Sequence, residues 1–200
     1  MRKLIPTSTG VLLLLLVLGF SAAAPRAALA QDGSSVEAGA DYNYVRANLP
    51  AGGCGCFAMN GGNGWVAFNF RRSLAVVGEI AIQHASNISG TGADLTLTSY
   101  LAGPRYIWTR SHRFRPFAQF LLGGAHAGGI FAPGSSGLPG SPNAFALIAG
   151  GGLDINLTRH IGLRAFEADY YLTRFDNGVN DHQNNPRLGA GVIVRFGGGK

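Results

Sequence analysis

The stretch RLGAGVIVRF, Arg187 to Phe196, places apolar side chains on every second position, at Leu188, Ala190, Val192, Val194 and Phe196. Successive residues of a β-strand point to opposite faces, so the alternation describes a strand with one apolar face; the other carries Gly189, Gly191, Ile193 and Arg195. Such a strand must rest its apolar face on lipid or on a protein core. The rest of the chain decides between them.

Residues 1–30 stand apart. Arg2 and Lys3 give a positive start, Val11 to Phe20 an uninterrupted apolar run, and Ala28-Leu29-Ala30 a small-x-small exit, which together read as a secretory signal peptide cut before Gln31. The apolar run is too short for a membrane anchor, since about 20 helical residues are needed to span roughly 30 Å of hydrocarbon. Residues 31–200 fit a single domain, with no Pro/Ser-rich hinge or charge run dividing it. No further domain is expected after the last strand. Arg2, Lys3 and Arg26 supply three of the net six positive charges, which leaves +3 on residues 31–200. Those cations are not gathered into a phosphate-binding stripe and the chain is exported, so nucleic acid is not an expected partner.

With 31 glycines and abundant Ala, Leu, Ile and Phe, residues 31–200 do not read as a soluble α/β domain, whereas a membrane barrel with an apolar outside and a small or polar inside accounts for them. Eight alternating segments can be drawn. The first, Val36 to Arg46, sets Val36, Ala38, Ala40, Tyr42 and Tyr44 outward and Glu37, Gly39, Asp41 and Asn43 inward. The others run about Gly64 to Phe70, Ala75 to Ala85, Leu95 to Trp108, Phe117 to Ala127, Ala144 to Leu157, Ile161 to Thr173 and Arg187 to Phe196. Three positions strain the pattern. Pro104 removes a ladder donor and suggests a bulge. The Phe117 to Ala127 segment is apolar on both faces, and Gln119 inward with Phe120 and Leu122 outward sets its register. Arg164 falls outward in the register of Glu167, Asp169 and Tyr171, so it either snorkels to the membrane edge or follows a bulge.

The connections alternate short and long, as an up-and-down membrane barrel requires. Short ones fall near Arg71 to Ser73, Arg110 to Arg115 and Thr158 to His160; long ones near Ala47 to Asn63, Ser86 to Asp94, Gly128 to Asn143 and Arg174 to Pro186. The fold expected is therefore all-β: an eight-stranded, antiparallel, up-and-down transmembrane β-barrel. A soluble sandwich or lipocalin-type barrel would turn its aromatics inward, and here the acids lie opposite the aromatics.

Glu37, Asp41, Glu79, Asp154, Glu167 and Asp169 sit mid-strand on inward faces, with Arg105 and Arg195 as the clearest inward cations. Eight strands leave a lumen just wide enough for side chains, so these groups predict a paired polar plug. The alternative is a narrow ion path in which Arg105 exchanges carboxylate partners. Arg71, Arg72, Arg110, Arg113, Arg115, Arg159 and Lys200 gather at the short-turn end, either to meet lipid phosphates or a periplasmic partner, or simply as solvated anchors. Catalytic candidates are sparse. His84 and His126, with Ser86 and Ser99 within reach, are what a lipid-modifying site would use; His112, His160 and His182 fall in turns or a loop. Cys54 and Cys56 form Cys-Gly-Cys, a candidate local disulfide or a free thiol pair; no nearby His or acid completes a metal site. No cofactor is expected.

The alternating strands, the short and long connections, the terminal Phe196 and the segments GPRY (Gly103 to Tyr106), GGGLD (Gly150 to Asp154) and DYY (Asp169 to Tyr171) resemble the OmpA/OmpX-like family of small outer-membrane β-barrels, over essentially all of Val36 to Phe196. The resemblance implies a bacterial outer-membrane location and a lipid environment that includes lipopolysaccharide. It also implies recognition by the barrel-insertion machinery through the last strand, at Gly191, Val194 and Phe196. The role expected is that of a monomeric, non-enzymatic barrel that is structural or meets a surface partner through its loops. A lipid A-modifying enzyme or a narrow channel are the alternatives.

Overall fold

Period-two alternation becomes eight long strands, because side chains that alternate polar and apolar can satisfy two environments only from an extended backbone. The computed structural model describes residues 35–48, 56–90, 92–129, 141–176 and 182–197. The strands are β1 (Ser35–Asn48), β2 (Cys56–Arg71), β3 (Leu74–Ala85), β4 (Leu95–Ile107), β5 (Phe114–Gly128), β6 (Asn143–Asn156), β7 (Ile161–Thr173) and β8 (Gln183–Phe196). Each pairs antiparallel with its sequence neighbours, and β1 closes on β8, so the sheet is a closed barrel without edges. Val36 lies opposite Phe196, which brings both ends of the described wall to the end that carries the short turns at 72–73, 108–113 and 157–160. The strand ends joined by the long connections, 49–55, 86–94, 129–142 and 174–182, lie at the other end.

The outward face is apolar on every strand. Val66, Val76, Ile80, Ile82, Phe120, Leu122, Leu188, Val192 and Phe196 are all exposed. Aromatics gather near both rims: Phe70, Tyr106, Trp108 and Phe114 by the short turns, Tyr42, Tyr100, Phe145 and Tyr170 toward the long connections. Tyr106 and Trp108 meet edge to face at 5.0 Å, and Tyr42 donates to Asn60 Oδ1 at 2.7 Å.

Four expectations need correction or completion. The β2 strand begins at Cys56 rather than near Gly64, so its connection from β1 shrinks to 49–55. Gly61 and Gly62 look like loop residues, but they occupy ladder positions opposite Gln83 and Ile82. A Cβ at Gly61 would stand 1.9 Å from the Ile82 carbonyl oxygen, so glycine there serves close backbone approach. Pro104 causes no bulge: it pairs with Val76, and the β4–β5 register is the same at Ala102–Leu122 as at Arg105–Gln119, with only the ladder contacts of Gly103 and Pro104 skipped. A bulge just after Arg164, rather than snorkelling, accounts for its placement. The register slips between Arg164 and Glu167, both Ala165 and Phe166 face outward, and Arg164 turns into the barrel. Finally, β5 starts at Phe114, and Arg115, expected in the turn, faces the lumen. The expected register of β5 holds, with Gln119 buried and Phe120 and Leu122 exposed.

Candidate functional site: a filled lumen and its two mouths

Inward positions of neighbouring strands converge on the barrel axis, so a charge on one strand meets charges from strands far away in sequence. Arg164, on β7, is fully buried and spans three carboxylates: Asp154 Oδ1 at 3.0 Å, Asp41 Oδ2 at 3.2 Å and Glu167 Oε2 at 2.5 Å. Arg187, on β8, does the same one layer away, with Glu79 Oε1 at 2.5 Å, Glu167 Oε1 at 2.7 Å and Asp169 Oδ2 at 2.8 Å. Glu167 therefore bridges the two arginines. The neutral amides complete the lattice: Asn63 donates to Glu79 Oε2 at 2.8 Å and Gln119 to Glu167 Oε1 at 3.2 Å. Ionised groups this deep persist only when paired and hydrogen-bonded, and the planar guanidinium fork suits one cation to several carboxylates.

Arg105 behaves differently from its expected role. Among the described residues no carboxylate reaches it within ion-pairing distance. Its Nε and one terminal nitrogen donate to Gln119 Oε1 at 3.1 and 2.7 Å, and its guanidinium carbon lies 4.4 Å from the Trp65 ring centre and 4.7 Å from that of Phe117. Arg164 stacks on the same two rings, 4.4 Å from each. The electron-rich faces of Trp65 and Phe117 thus hold two cations close together. The Trp65 indole N–H donates to Asp41 Oδ2 at 2.7 Å, which ties the aromatic layer to the ionic one. Among the described residues Arg105 is paired with no carboxylate, unlike the exchanging cation of the ion-path alternative.

Above this layer, toward the long connections, the lumen turns largely apolar. Val45, Met59, Ala85, Leu97, Ala127 and Ile148 are buried there beside the neutral Gln83, Thr173 and Asn185, and Ile88 and Phe175 join them from outside the strands. Ile88 is positioned by the turn at Asn87, whose left-handed backbone suits asparagine. The Asn87 side-chain oxygen accepts from the Gly92 N–H at 3.0 Å, and Ile88 N–H donates to the Ala93 carbonyl at 2.9 Å. The lumen therefore has two storeys, ionic and apolar.

At the short-turn mouth Glu37 accepts from Arg115 at 2.8 Å, and Arg195 Nε stands 3.3 Å from the same oxygen. Arg71, Arg72 and Arg159 ring this mouth, while Arg110 lies outside beside Trp108, Phe114 and Pro116. Of the last-strand residues singled out from sequence, Val194 and Phe196 are on the outward face and Gly191 is inward, where a Cβ would meet Asp41 Oδ1 at 2.1 Å. Cys54 lies outside the described residues, as do Lys200 and the signal segment, and nothing is described of the Cys56 side chain. His84 bonds Thr96 Oγ1 and His126 bonds Asn143 Oδ1, each at 2.9 Å on the outward face. Ser99 is buried on the lumen side of the wall, which separates it from both histidines.

Arg187 and Arg115 were missed by sequence reasoning, and the signal was present. Both share parity with residues read as inward, Arg187 with Gly189 and Gly191, and Arg115 with Phe117 and Gln119. Extending the alternation by one more step at each strand end finds them.

The family model described as the outer membrane protein beta-barrel domain matches residues 12–196. Comparison with curated proteins found no match. Among solved structures the chain is similar to Neisserial surface protein A, at 18% identity with a TM-score of 0.62, covering 82% of this chain and 100% of that one. It is also similar to OprG of Pseudomonas aeruginosa, at 11% identity and 0.55 over 83% and 97%. Ail, the attachment invasion locus protein of Yersinia pestis, is similar at 19% identity and 0.51 over 82% and 97%. At these identities the likeness concerns the fold, which is the closed eight-stranded barrel described above. On the family match over most of its length, the chain belongs to the outer-membrane β-barrel domain family and is a protein of the bacterial outer membrane.

Proposed function

We propose that this barrel is a non-enzymatic component of the outer membrane that reinforces the envelope and presents its four long connections to a partner at the cell surface. The observation that carries this reading is the filled lumen. Arg164 and Arg187 cross-link Asp41, Glu79, Asp154, Glu167 and Asp169 through its centre, and a largely apolar layer packs above them, which supports a structural rather than a conducting role. The strands run to 16 residues, more than the roughly 9–11 that cross a bilayer at a tilt, so the wall carries the long connections clear of the lipid. Those connections are rich in Gly, Ser, Pro and Asn, and their charges are Asp94, Arg174, Asp176 and Asp181, a composition with one cation that suits shape and hydrogen bonding rather than capture of a polyanion. As part of the same reading, Val194 and Phe196 present an apolar, aromatic-ended strand to the insertion machinery.

Two measurements test the proposal together. Expression in an outer-membrane host is expected to leave the mass spectrum of lipid A unchanged; a shift that disappears in His84→Ala or His126→Ala would establish an enzyme instead. Shortening residues 129–142 to a two-residue turn is expected to retain the gel-mobility change on boiling while abolishing binding of the nanodisc-held protein to an array of cell-surface proteins and glycans. Binding that survives the shortening of all four connections would remove the loops from the account.

A further inference from the structure

We propose that the short-turn mouth of the barrel binds a phosphoryl-bearing anion, held by Arg115 and Arg195 on its floor and by Arg71, Arg72 and Arg159 on its rim. This inference concerns the end opposite the long connections and does not rest on the reading of the loops. The mouth is a vestibule of about 750 Å³, and among the described residues its walls carry those five guanidinium groups against a single carboxylate, Glu37. One Glu37 oxygen already serves two of them, at 2.8 Å from Arg115 and 3.3 Å from Arg195. Glu37 therefore cannot neutralise the mouth.

Arg195 shows which direction the excess charge points. Its side chain is only 10% exposed and it lines the vestibule; its Nε is ion-paired with Glu37, and neither of its two terminal nitrogens has a hydrogen-bond acceptor among the described residues. Buried donors in folded proteins are almost always satisfied, and this one has a vestibule in front of it from which an acceptor can come. Arg164 and Arg187, by contrast, are each bound by three carboxylates.

The chemistry favours a phosphoryl group over a carboxylate. Guanidinium forks bind either one bidentately, but a single carboxylate only repeats what Glu37 does. A phosphoryl group offers two unesterified oxygens and one charge as a diester, or three oxygens and up to two charges as a terminal group, in a tetrahedral arrangement that can meet forks from β5, β8 and the turns from more than one side. Two sources present that chemistry at this end of an outer-membrane barrel: the headgroup of an inner-leaflet phospholipid, and a soluble phosphate compound of the periplasm.

The folded full chain, in maltoside micelles free of phosphate and at low salt, is titrated calorimetrically with pyrophosphate, with dihexanoylphosphatidylglycerol below its micellar concentration, and with malonate. Saturable binding of pyrophosphate is expected, weakened at least tenfold by Arg195→Gln and several-fold by Arg71→Gln/Arg72→Gln. Arg113→Gln, a cation of the same end that does not line the vestibule, should leave it unchanged. Pyrophosphate binding marks a soluble source; binding of the lipid alone, with the same dependence on Arg195, Arg71 and Arg72, marks the headgroup, and both support the site. The exposed pair Arg71 and Arg72 keeps the test decisive should Arg195→Gln fail to fold. The proposal is overturned if neither phosphoryl probe binds saturably, if malonate binds as tightly as the better of them, or if Arg113→Gln weakens binding as much as the vestibule variants do.

Discussion

Replacing Arg164 by methionine is expected to destabilise the barrel by about 3–5 kcal/mol, the usual cost of removing one partner from a buried ionic group. The variant keeps side-chain length and apolar bulk but leaves Asp41 and Asp154 without their guanidinium, and Glu167 with Arg187 alone. Three carboxylates then face one another in a lumen with little water to screen them. The measurement is urea unfolding of the protein in lipid vesicles, followed by tryptophan fluorescence and by gel mobility without boiling. Arg105→Met is the internal comparison. Arg105 is as deeply buried, yet it surrenders only its bonds to Gln119 and its stacking on Trp65 and Phe117, so a loss of about 1–2 kcal/mol is expected. Equal losses in the two variants would mean that the carboxylate lattice is not what distinguishes these arginines.

Gly39→Leu is expected to be comparably damaging, at about 2–5 kcal/mol, from overpacking together with a lost buried hydrogen bond. Gly39 lies directly opposite Trp65 in the β1–β2 ladder, and a Cβ there would stand 2.4 Å from the indole ring. The indole has to move, and with it go its bond to Asp41 and the face on which both Arg105 and Arg164 rest. Trp65 and Trp108 are the two tryptophans of the chain, so in a Trp108→Phe background the fluorescence reports Trp65 alone. Its emission should shift to the red and its accessibility to a soluble quencher should rise. Gly64→Leu, one strand away but outward with nothing within 4 Å of its Cβ position, should change neither signal. Equal sensitivity at positions 39 and 64 would contradict the packing described here.

These two sites show what was legible from sequence and what was not. Strand identity and facing follow from period-two alternation, a local property, so Glu37, Asp41, Glu79, Asp154, Glu167 and Asp169 could all be placed inward residue by residue. Pairing within the lumen is different. Arg187 meets Glu79 across 108 positions of sequence and Arg164 meets Asp41 across 123, and only barrel closure with its shear brings them together. No local pattern could show that Arg164 would be a hub and Arg105 a stacked cation. The bulge after Arg164 breaks the period at the very residue that matters most, and glycines that looked like loop signals at Gly61 and Gly62 are sites of close strand approach. The apolar upper storey was hidden for a related reason. Where both faces of a strand are apolar, as in β5, hydrophobicity alone does not tell lipid from lumen.

Single-channel recording in planar bilayers tests most directly whether the lumen is closed by its own side chains. With insertion verified by protease protection of the barrel, the account predicts no discrete conductance steps from the unmodified protein over a wide voltage range. Reproducible unitary steps from the unmodified protein would contradict a lumen filled by the Arg164 and Arg187 lattice.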